Sequence, residues 1–237
     1  MSEMGYHFST LSPDIDEKAI RHPNPYLLPT LVARAKADAL VKRVNIPALI
    51  ITADQVVLAP RPATSAAAAA SSAPSESAGD GAERHDPDTV EMREKPESLE
   101  QARHFIETYS GRWIQTVSAV VVHNTVTGAR VDGVDLATVH FSDIPPSTID
   151  SLLQPPADGS SELPIIMHCA GAVQVENHLL EPLITHKSTT NDSIFGLPKQ
   201  LLAKLLVSQG APEPAVEPTL PHGASVAVAI AAHEGLG

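Results

Sequence analysis

The sequence predicts a mixed α/β protein, and two patterns along the chain support this class. Helix-like and strand-like segments follow one another in the order helix, strand, helix, strand, strand, helix, strand, helix. The strand-like segments are short and rich in β-branched residues, whereas the helix-like segments repeat their apolar residues every three or four positions. Such an interleaved order favours a mixed β-sheet packed with helices.

Two helices carry the clearest signals. Residues 97–109 begin with a capping box formed by Ser98 and Gln101, and Gly111 suits the left-handed conformation that ends many helices. Residues 25–44 are predicted to form an earlier helix with Pro29 in its first turn, where the missing N–H costs little. The apolar face of this earlier helix is predicted to contain Leu28, Leu31, Val32, Ala35 and Ala39.

The strands are read from runs of β-branched residues. Residues 46–52 form a short buried strand, after which Asp54 and Gln55 interrupt the apolar pattern before it resumes at 56–58. Residues 114–122 and 130–141 are separated by a turn and predict a hairpin. The remaining predicted elements are a short helix over 145–153, a strand among the apolar segments of 163–184 and a helix over 196–210.

The domain organisation follows from composition. Residues 1–210 are expected to form one domain, interrupted at 60–91 by a run rich in Ala, Ser, Pro and Gly. Such a run buries too little apolar surface to offset its ordering entropy, so it predicts a disordered insertion. Residues 211–237 are expected to be a weakly ordered tail.

Charge and cysteine content exclude several classes of function. The net charge is −12, with 28 acidic and 16 basic residues, which argues against a nucleic acid polymer as the main partner. The single cysteine, Cys169, excludes an internal disulfide and a cysteine metal cluster, and a buried, inert thiol is the favoured interpretation. With no membrane-spanning run and no signal peptide in the sequence, the expected location is the cytoplasm.

Two acidic positions are candidates for chemistry. Asp54 follows an apolar strand, where a carboxylate can bind a metal ion or orient a water molecule; the alternative is a turn aspartate that caps the next segment. Glu17 belongs to an acidic cluster with Asp14 and Asp16, which could share a metal ion with Asp54 or form a solvated helix start. Spacing alone leaves both alternatives open.

Three further residues complete the candidate set. Lys36 lies in the middle of the first helix beside its apolar face, where lysines usually extend to solvent. Lys95 precedes the capped helix, whose N-terminus could bind a phosphate, although an ordinary loop lysine is the simpler interpretation. Glu176 stands among apolar residues, where an unpaired carboxylate costs free energy.

The order of these short motifs resembles the Maf-like family, the septum-formation family of nucleoside triphosphate pyrophosphatases, and most closely its eukaryotic branch. The resemblance covers residues 5–210 apart from the insertion. The motifs appear in the chain as DIDE, ARAKA, ADQVV, REKP, YSG, AG followed by an acidic residue, and GLP.

The resemblance implies an elongated mixed sheet with a central cleft, as in the inosine-triphosphate pyrophosphatases. It implies hydrolysis of a nucleoside triphosphate, possibly a non-standard one, to the monophosphate and pyrophosphate with Mg²⁺ or Mn²⁺. Asp54 would match the catalytic and metal-binding aspartate, and Glu17 its acidic partner at the metal. Lys36 and Lys95 would contact the phosphates, Glu176 would lie in the second half of the cleft, and a homodimer would be the assembly.

The sequence also departs from the family pattern. The family begins with a strand and an S-x-S-x-R-R-like loop that binds the triphosphate, and residues 1–13 contain neither, since Ser9 and Ser12 are no substitute. We therefore expect an N-terminal strand to be missing. A non-catalytic Maf-like protein that binds nucleotides or acts as an interaction module stays open as an alternative, as does an unrelated α/β binding protein.

Overall fold

The computed structural model describes residues 4–61, 84–189, 191–212 and 227–231. Seven strands lie within these ranges: β1 (Phe8–Thr10), β2 (Ala48–Pro60), β3 (Val90–Arg93), β4 (Trp113–Asn124), β5 (Arg130–Phe141), β6 (Ile184–Lys187) and β7 (Ala227–Ala231). The helices are α1 (Leu28–Val41), α2 (Leu99–Tyr109), α3 (Pro146–Leu152), α4 (Asn191–Ile194) and α5 (Lys199–Ser208). The predicted α/β class is confirmed.

The sheet is mixed. Its hydrogen-bonded order is β1-β7-β2-β4-β5-β6, and β3 pairs with β2 outside this path. β7 runs parallel to both β1 and β2, with Leu49 opposite Val228, whereas β3 pairs antiparallel with β2 and β6 antiparallel with β5. The mixture of parallel and antiparallel pairs is the arrangement that the order of elements predicted.

Residue contacts divide the chain into two compact units. The first contains residues Met1–Val56, Thr116–Asp135 and Thr190–Gly237, and the second contains Val57–Gln115 and Leu136–Thr189.

In the first unit, successive residues of each strand face opposite sides of the sheet. Leu49 and Ile51 of β2 pack in one apolar cluster with Leu202 and Leu206 of α5. Ile50 instead packs with Leu40 of α1. In β4, likewise, Val120 and Val122 join the α5 cluster, while Ala119 and Val121 pack with Ala33 and Ala37 of α1. One helix therefore covers each face of this unit.

The second unit is built around α2. Its N-cap Ser98 accepts a hydrogen bond from the Gln101 N–H at 3.1 Å, and Gly111 has a φ of +66°, as the capping pattern predicted. The buried face of α2 contains Ala102, Phe105, Ile106 and Tyr109. The ring of Tyr109 stacks on that of Phe141 at a centroid distance of 6.2 Å.

Two secondary-structure predictions need correction. Asp54 and Gln55 do not end the strand, because β2 continues through them to Pro60. Residues 163–184 form mainly short 3-10 turns, at Ile165–His168, Ala170–Ala172 and Glu181–Leu183, and a strand begins only at Ile184. Pro164, Pro182 and the positive φ of Gly171 favour such turns over a longer strand.

The ends of the predicted insertion also differ from expectation. Pro60 is the last residue of β2, while Val90 and Glu91 begin β3. The centre of the insertion, residues 62–83, lies outside the described residues, as does most of the predicted tail. The exception in the tail is Ala227–Ala231, which forms β7. Within the described ranges, no helix has the length and apolar character needed to cross a membrane.

Candidate active site

The position of Asp54 follows from the alternation along β2. Thr52 and Asp54 lie two and four residues after Ile50. Because side chains alternate along a strand, both project to the same face of β2 as Ile50, which is the face that packs on α1. The Thr52 hydroxyl donates a hydrogen bond of 2.6 Å to the Ala33 carbonyl, which fixes this part of the strand against the helix. Asp54 is 8% exposed, so its carboxylate is held in the interior of the first unit.

Lys36 is the partner of this carboxylate. Its side chain is only 1% exposed, and its Nζ lies 3.0 Å from Asp54 Oδ1 and 3.2 Å from Glu17 Oε2. The ammonium also donates to the Ala53 carbonyl at 3.3 Å. A buried lysine is tolerated when it is paired and hydrogen bonded, and these three acceptors meet that condition.

The apolar face predicted for α1 is displaced by about one residue from the face that is buried in the structure. Leu31, predicted to be apolar-facing, is 37% exposed, whereas Ala33, Lys36 and Ala37 are buried. Lys36 therefore occupies the buried stripe of the helix and does not extend to solvent. A lysine at the centre of an otherwise aliphatic stripe was the signal for this role.

Glu17 is held in place by the acidic cluster to which it belongs. It begins a 3-10 turn, Glu17–Ala19, whose N-cap Asp16 accepts a hydrogen bond from the Ala19 N–H at 3.2 Å. Asp14 pairs instead with Arg43 at 2.9 Å. Of the three acidic residues, only Glu17 is brought to Lys36 and thus to the group containing Asp54.

Gln55 faces the opposite side of β2 from Asp54. Its Nε2 donates to Ser118 Oγ at 2.8 Å and to the Ile194 carbonyl at 2.9 Å. Ser118 in turn donates to the Ser193 carbonyl at 3.2 Å. This polar cluster fixes α4 against the two strands of the first unit. Apart from the polar character of Gln55, no local pattern in the sequence indicates it.

Asp135 lies beside this polar cluster. Burial raises the pKa of its carboxyl group and the charge of Asp192 acts in the same direction, while a hydrogen bond with Ser193 partly offsets them. Its Oδ2 atom is buried without a hydrogen-bond partner among the described residues. An unsatisfied buried carboxylate oxygen is costly, so Asp135 is a weak point of the first unit.

Lys95 and Glu176 belong to the second unit, where both act electrostatically on Cys169. Burial raises the pKa of the Cys169 thiol to about 11; the carboxylate of Glu176 adds to this rise, and the ammonium of Lys95 opposes it. The predicted inert thiol agrees with this value. Glu176 itself is exposed, although Val175 before it and Leu180 after it are buried, so the expectation of a carboxylate in apolar surroundings was wrong.

Gly171 connects the segments that carry these residues. Its N–H donates to the Glu94 carbonyl at 2.9 Å, and its own carbonyl accepts from the Tyr109 hydroxyl at 2.7 Å. Its φ is +63°, a conformation that favours glycine. The AG motif of the sequence is therefore a junction next to Lys95.

Arg93, which no sequence pattern marks as functional, supports the same region. It is 1% exposed, pairs with Glu91 at 2.9 Å and donates to Thr108 Oγ1 at 2.7 Å. Its guanidinium lies over the rings of Phe105 and Tyr109 at 4.6 and 5.0 Å. These contacts join β3, which ends two residues before Lys95, to α2.

The described residues contain no group of three or more His, Cys, Asp or Glu side chains arranged to hold a metal ion. A divalent ion that binds through one or two carboxylates and completes its shell with water and phosphate oxygens needs no such group. Asp54 and Glu17 are carboxylates of this kind. With Lys36 they leave a net charge of −1, which suits a hard cation.

Comparison with known proteins adds two findings. The family model described as "Maf-like protein" matches residues 1–209. A protein of Dictyostelium discoideum named "7-methyl-GTP pyrophosphatase" is 36% identical over 214 residues, which cover 87% of this chain and 88% of that protein.

Proposed function

The chain belongs to the Maf-like protein family of nucleoside triphosphate pyrophosphatases, and we propose that Asp54 is the centre of its catalytic site. The observation that carries this proposal is the contact of the buried Lys36 with both Asp54, which is also buried, and Glu17, whose side chain is 35% exposed. Two carboxylates that can bind a divalent ion and an ammonium that can neutralise phosphate charge are groups that can promote hydrolysis of a phosphoanhydride.

Each of these residues has a role in the proposed chemistry. Water attacks the α-phosphorus, and the pyrophosphate group leaves as the bond between the α-phosphorus and its bridging oxygen breaks. Asp54 accepts the proton of the attacking water or holds that water in line. Lys36 fixes the orientation of Asp54 and provides positive charge where the phosphate oxygens become more negative.

Mg²⁺ or Mn²⁺ is the proposed cofactor. Asp54 and Glu17 would hold it, because hard divalent cations prefer carboxylate oxygens and retain positions for water and phosphate. When bound, the ion would neutralise part of the negative charge of the phosphate groups. The positioning of both carboxylates by Lys36 is the contribution of this chain to that chemistry.

The proposed substrate is a guanosine triphosphate with a methylated base. This assignment is supported by the name of the Dictyostelium relative, which is 36% identical and covers most of both chains. The non-catalytic alternative is not favoured, because the relative that covers most of both chains is named a pyrophosphatase.

The test is pyrophosphate release from a panel of nucleoside triphosphates, including 7-methyl-GTP, GTP and UTP, in the presence of Mg²⁺ or Mn²⁺. Asp54→Asn retains the shape of the side chain and removes its charge, and we expect turnover to fall at least a hundredfold, about the loss seen when one transition-state-stabilising group is removed. The matched control is Asp38→Asn in α1 of the same unit, an exposed aspartate that pairs with Arg130. Equal turnover in the two variants would contradict the role of Asp54.

The same panel tests the substrate assignment separately from the assignment of the catalytic residue. If 7-methyl-GTP is hydrolysed no faster than GTP while Asp54→Asn is inactive, the catalytic assignment stands and the base assignment fails. If the wild-type protein hydrolyses no triphosphate, the non-catalytic alternative is correct.

Four further assignments stay predictions. Phosphate contact by Lys95 and substrate contact by Glu176 are supported only by the resemblance, and a rise in KM in Lys95→Ala or Glu176→Ala is the expected result. A cytoplasmic location rests on the single cysteine, which rules out an internal disulfide, and imaging of a tagged chain would test it. Homodimerisation rests on the resemblance, and light scattering would test it.

A further inference from the structure

Two histidines form a cross-strand pair in the second unit. In the antiparallel ladder of β5 and β6, His140 lies opposite His186. Residues opposite each other in such a ladder project to the same face, and here the two imidazole rings meet edge-on with a centroid distance of 5.7 Å and an interplanar angle of 61°. His140 is partly exposed and His186 is exposed, so both rings are accessible from solvent.

This spacing matches the distance that two imidazoles take when they share one metal ion. For nitrogen–metal bonds of about 2.0 to 2.1 Å and a tetrahedral angle, the two ring centroids lie about 5 to 6 Å apart. From this geometry we propose that His140 and His186 form a chelate for a divalent transition-metal ion, with Zn²⁺, Ni²⁺ and Cu²⁺ as the ions that imidazole prefers.

The direction of the pKa shift at His140 agrees with this role, because a metal ion binds the neutral imidazole. Burial lowers the pKa of His140, and the charge of His186 lowers it further. Protons therefore compete weakly for His140 at neutral pH.

The chelate would act as a clamp on β6. This strand has four residues and is the last in the hydrogen-bonded order of the sheet. A metal ion shared by His140 and His186 would join two positions 46 residues apart in the sequence. Among the described residues no third His, Cys, Asp or Glu completes the group, so the remaining positions on the ion are left for water.

The only tryptophan of the chain provides a signal for binding. The Phe141 N–H donates to the Arg112 carbonyl at 2.8 Å, and Gln115 Nε2 donates to Thr138 Oγ1 at 3.1 Å. Both bonds give the same register, which places Trp113 opposite His140 on the neighbouring strand. We therefore expect a Cu²⁺ or Ni²⁺ ion bound by the histidine pair to quench the indole fluorescence. Because the indole also stacks on His85 at a centroid distance of 3.9 Å, only quenching that is lost in the variants of the pair is assigned to this site.

The experiment titrates Cu²⁺ and Ni²⁺ into the full chain and follows Trp113 fluorescence, with Zn²⁺ measured by calorimetry. We expect saturation at one ion per chain and tightest binding for Cu²⁺, as the general order of affinities requires. Mg²⁺ should neither quench the fluorescence nor displace Cu²⁺, which separates this site from the proposed catalytic one.

His140→Asn and His186→Asn should each weaken binding at least tenfold, since each leaves a single imidazole. The matched control is His178→Asn, an exposed histidine of the same unit, which should leave the affinity unchanged. Circular dichroism checks that all variants are folded. The proposal is overturned if no metal ion quenches Trp113, if either variant of the pair binds like the wild type, or if the control weakens binding as much as they do.

Discussion

Replacement of Gly171 by alanine tests how strictly the second unit depends on this junction. A Cβ at position 171 would lie 2.8 Å from Val57 Cβ and 2.9 Å from the Tyr109 hydroxyl, and the φ of +63° would be strained for any side chain. Val57 Cβ belongs to a buried strand and cannot rotate away. Tyr109 could move only by losing its hydrogen bond to the Gly171 carbonyl.

The expected cost has two separable parts. The left-handed backbone costs a residue with a side chain about 1 to 2 kcal/mol. Overpacking against Val57 and Tyr109 costs about a further 1 to 3 kcal/mol. Gly159→Ala isolates the first part, because Gly159 lies in the same unit with a φ of +72° and an added Cβ there would have no atom within 4 Å.

Urea unfolding followed by the fluorescence of Trp113 is the appropriate assay, since this tryptophan lies in the same unit as both glycines. We expect Gly171→Ala to reduce the free energy of unfolding by about 2 kcal/mol more than Gly159→Ala does. At a typical urea slope, this difference displaces the midpoint by about 1 M. Equal losses in the two variants would refute the packing argument and leave only the backbone term.

Three further predictions concern ionisable groups that are wholly or partly buried. Lys36→Met leaves two carboxylates without their shared cation, so pyrophosphate release should fall at least about a hundredfold. The free energy of unfolding should fall by about 3 kcal/mol, measured by urea unfolding. The control is Lys42→Met, an exposed position just beyond α1. Burial raises the pKa of Tyr109 to about 12, above its ordinary value of 10.0. As the pH rises, the unfolded chain therefore loses this proton before the folded chain does, and the free energy of unfolding should fall by about 2 to 3 kcal/mol between pH 10 and 12. Urea unfolding at each pH should show this loss in the wild type and not in Tyr109→Phe. Because the pKa of Asp135 is raised in the folded chain, its ionised form opposes folding at pH values above its ordinary pKa. Asp135→Asn should therefore raise the melting temperature at pH 7 and raise it less at pH 4. An equal effect at both pH values would exclude ionisation as the cause.

The elements that were predicted well are those whose signals are local. The capping box at Ser98 and the left-handed Gly111 define α2 without reference to the rest of the fold. The β-branched runs likewise identify β4 and β5, because strands buried on one or both faces require such residues. The motif order was sufficient for the family, since it depends on the succession of residues and not on their contacts.

The features that the sequence did not predict, which are the burial of Lys36 and of Arg93, depend on contacts distant in sequence. Lys36 reads as a surface lysine until Glu17 and Asp54 are brought to it from 19 and 18 positions away. Arg93 looks like part of a charged loop, and only the rings of Phe105 and Tyr109 explain its burial. A buried charge is acceptable only with its partners, and a sequence does not state which partners will meet.

The continuity of β2 through its polar pair explains how one strand serves two purposes. Because strand side chains alternate, adjacent residues cannot face the same side, so Asp54 reaches Lys36 on the α1 side while Gln55 binds Ser118 on the other. Had the strand ended at Thr52, as the apolar pattern suggested, the backbone of Asp54 and Gln55 would not be fixed by the hydrogen bonds of the sheet. A rigid strand with a helix on each face therefore fixes the Asp54 carboxylate more firmly than a loop would, and the proposed role of Asp54, which is to hold a water molecule in line with a phosphorus atom, requires such a fixed position.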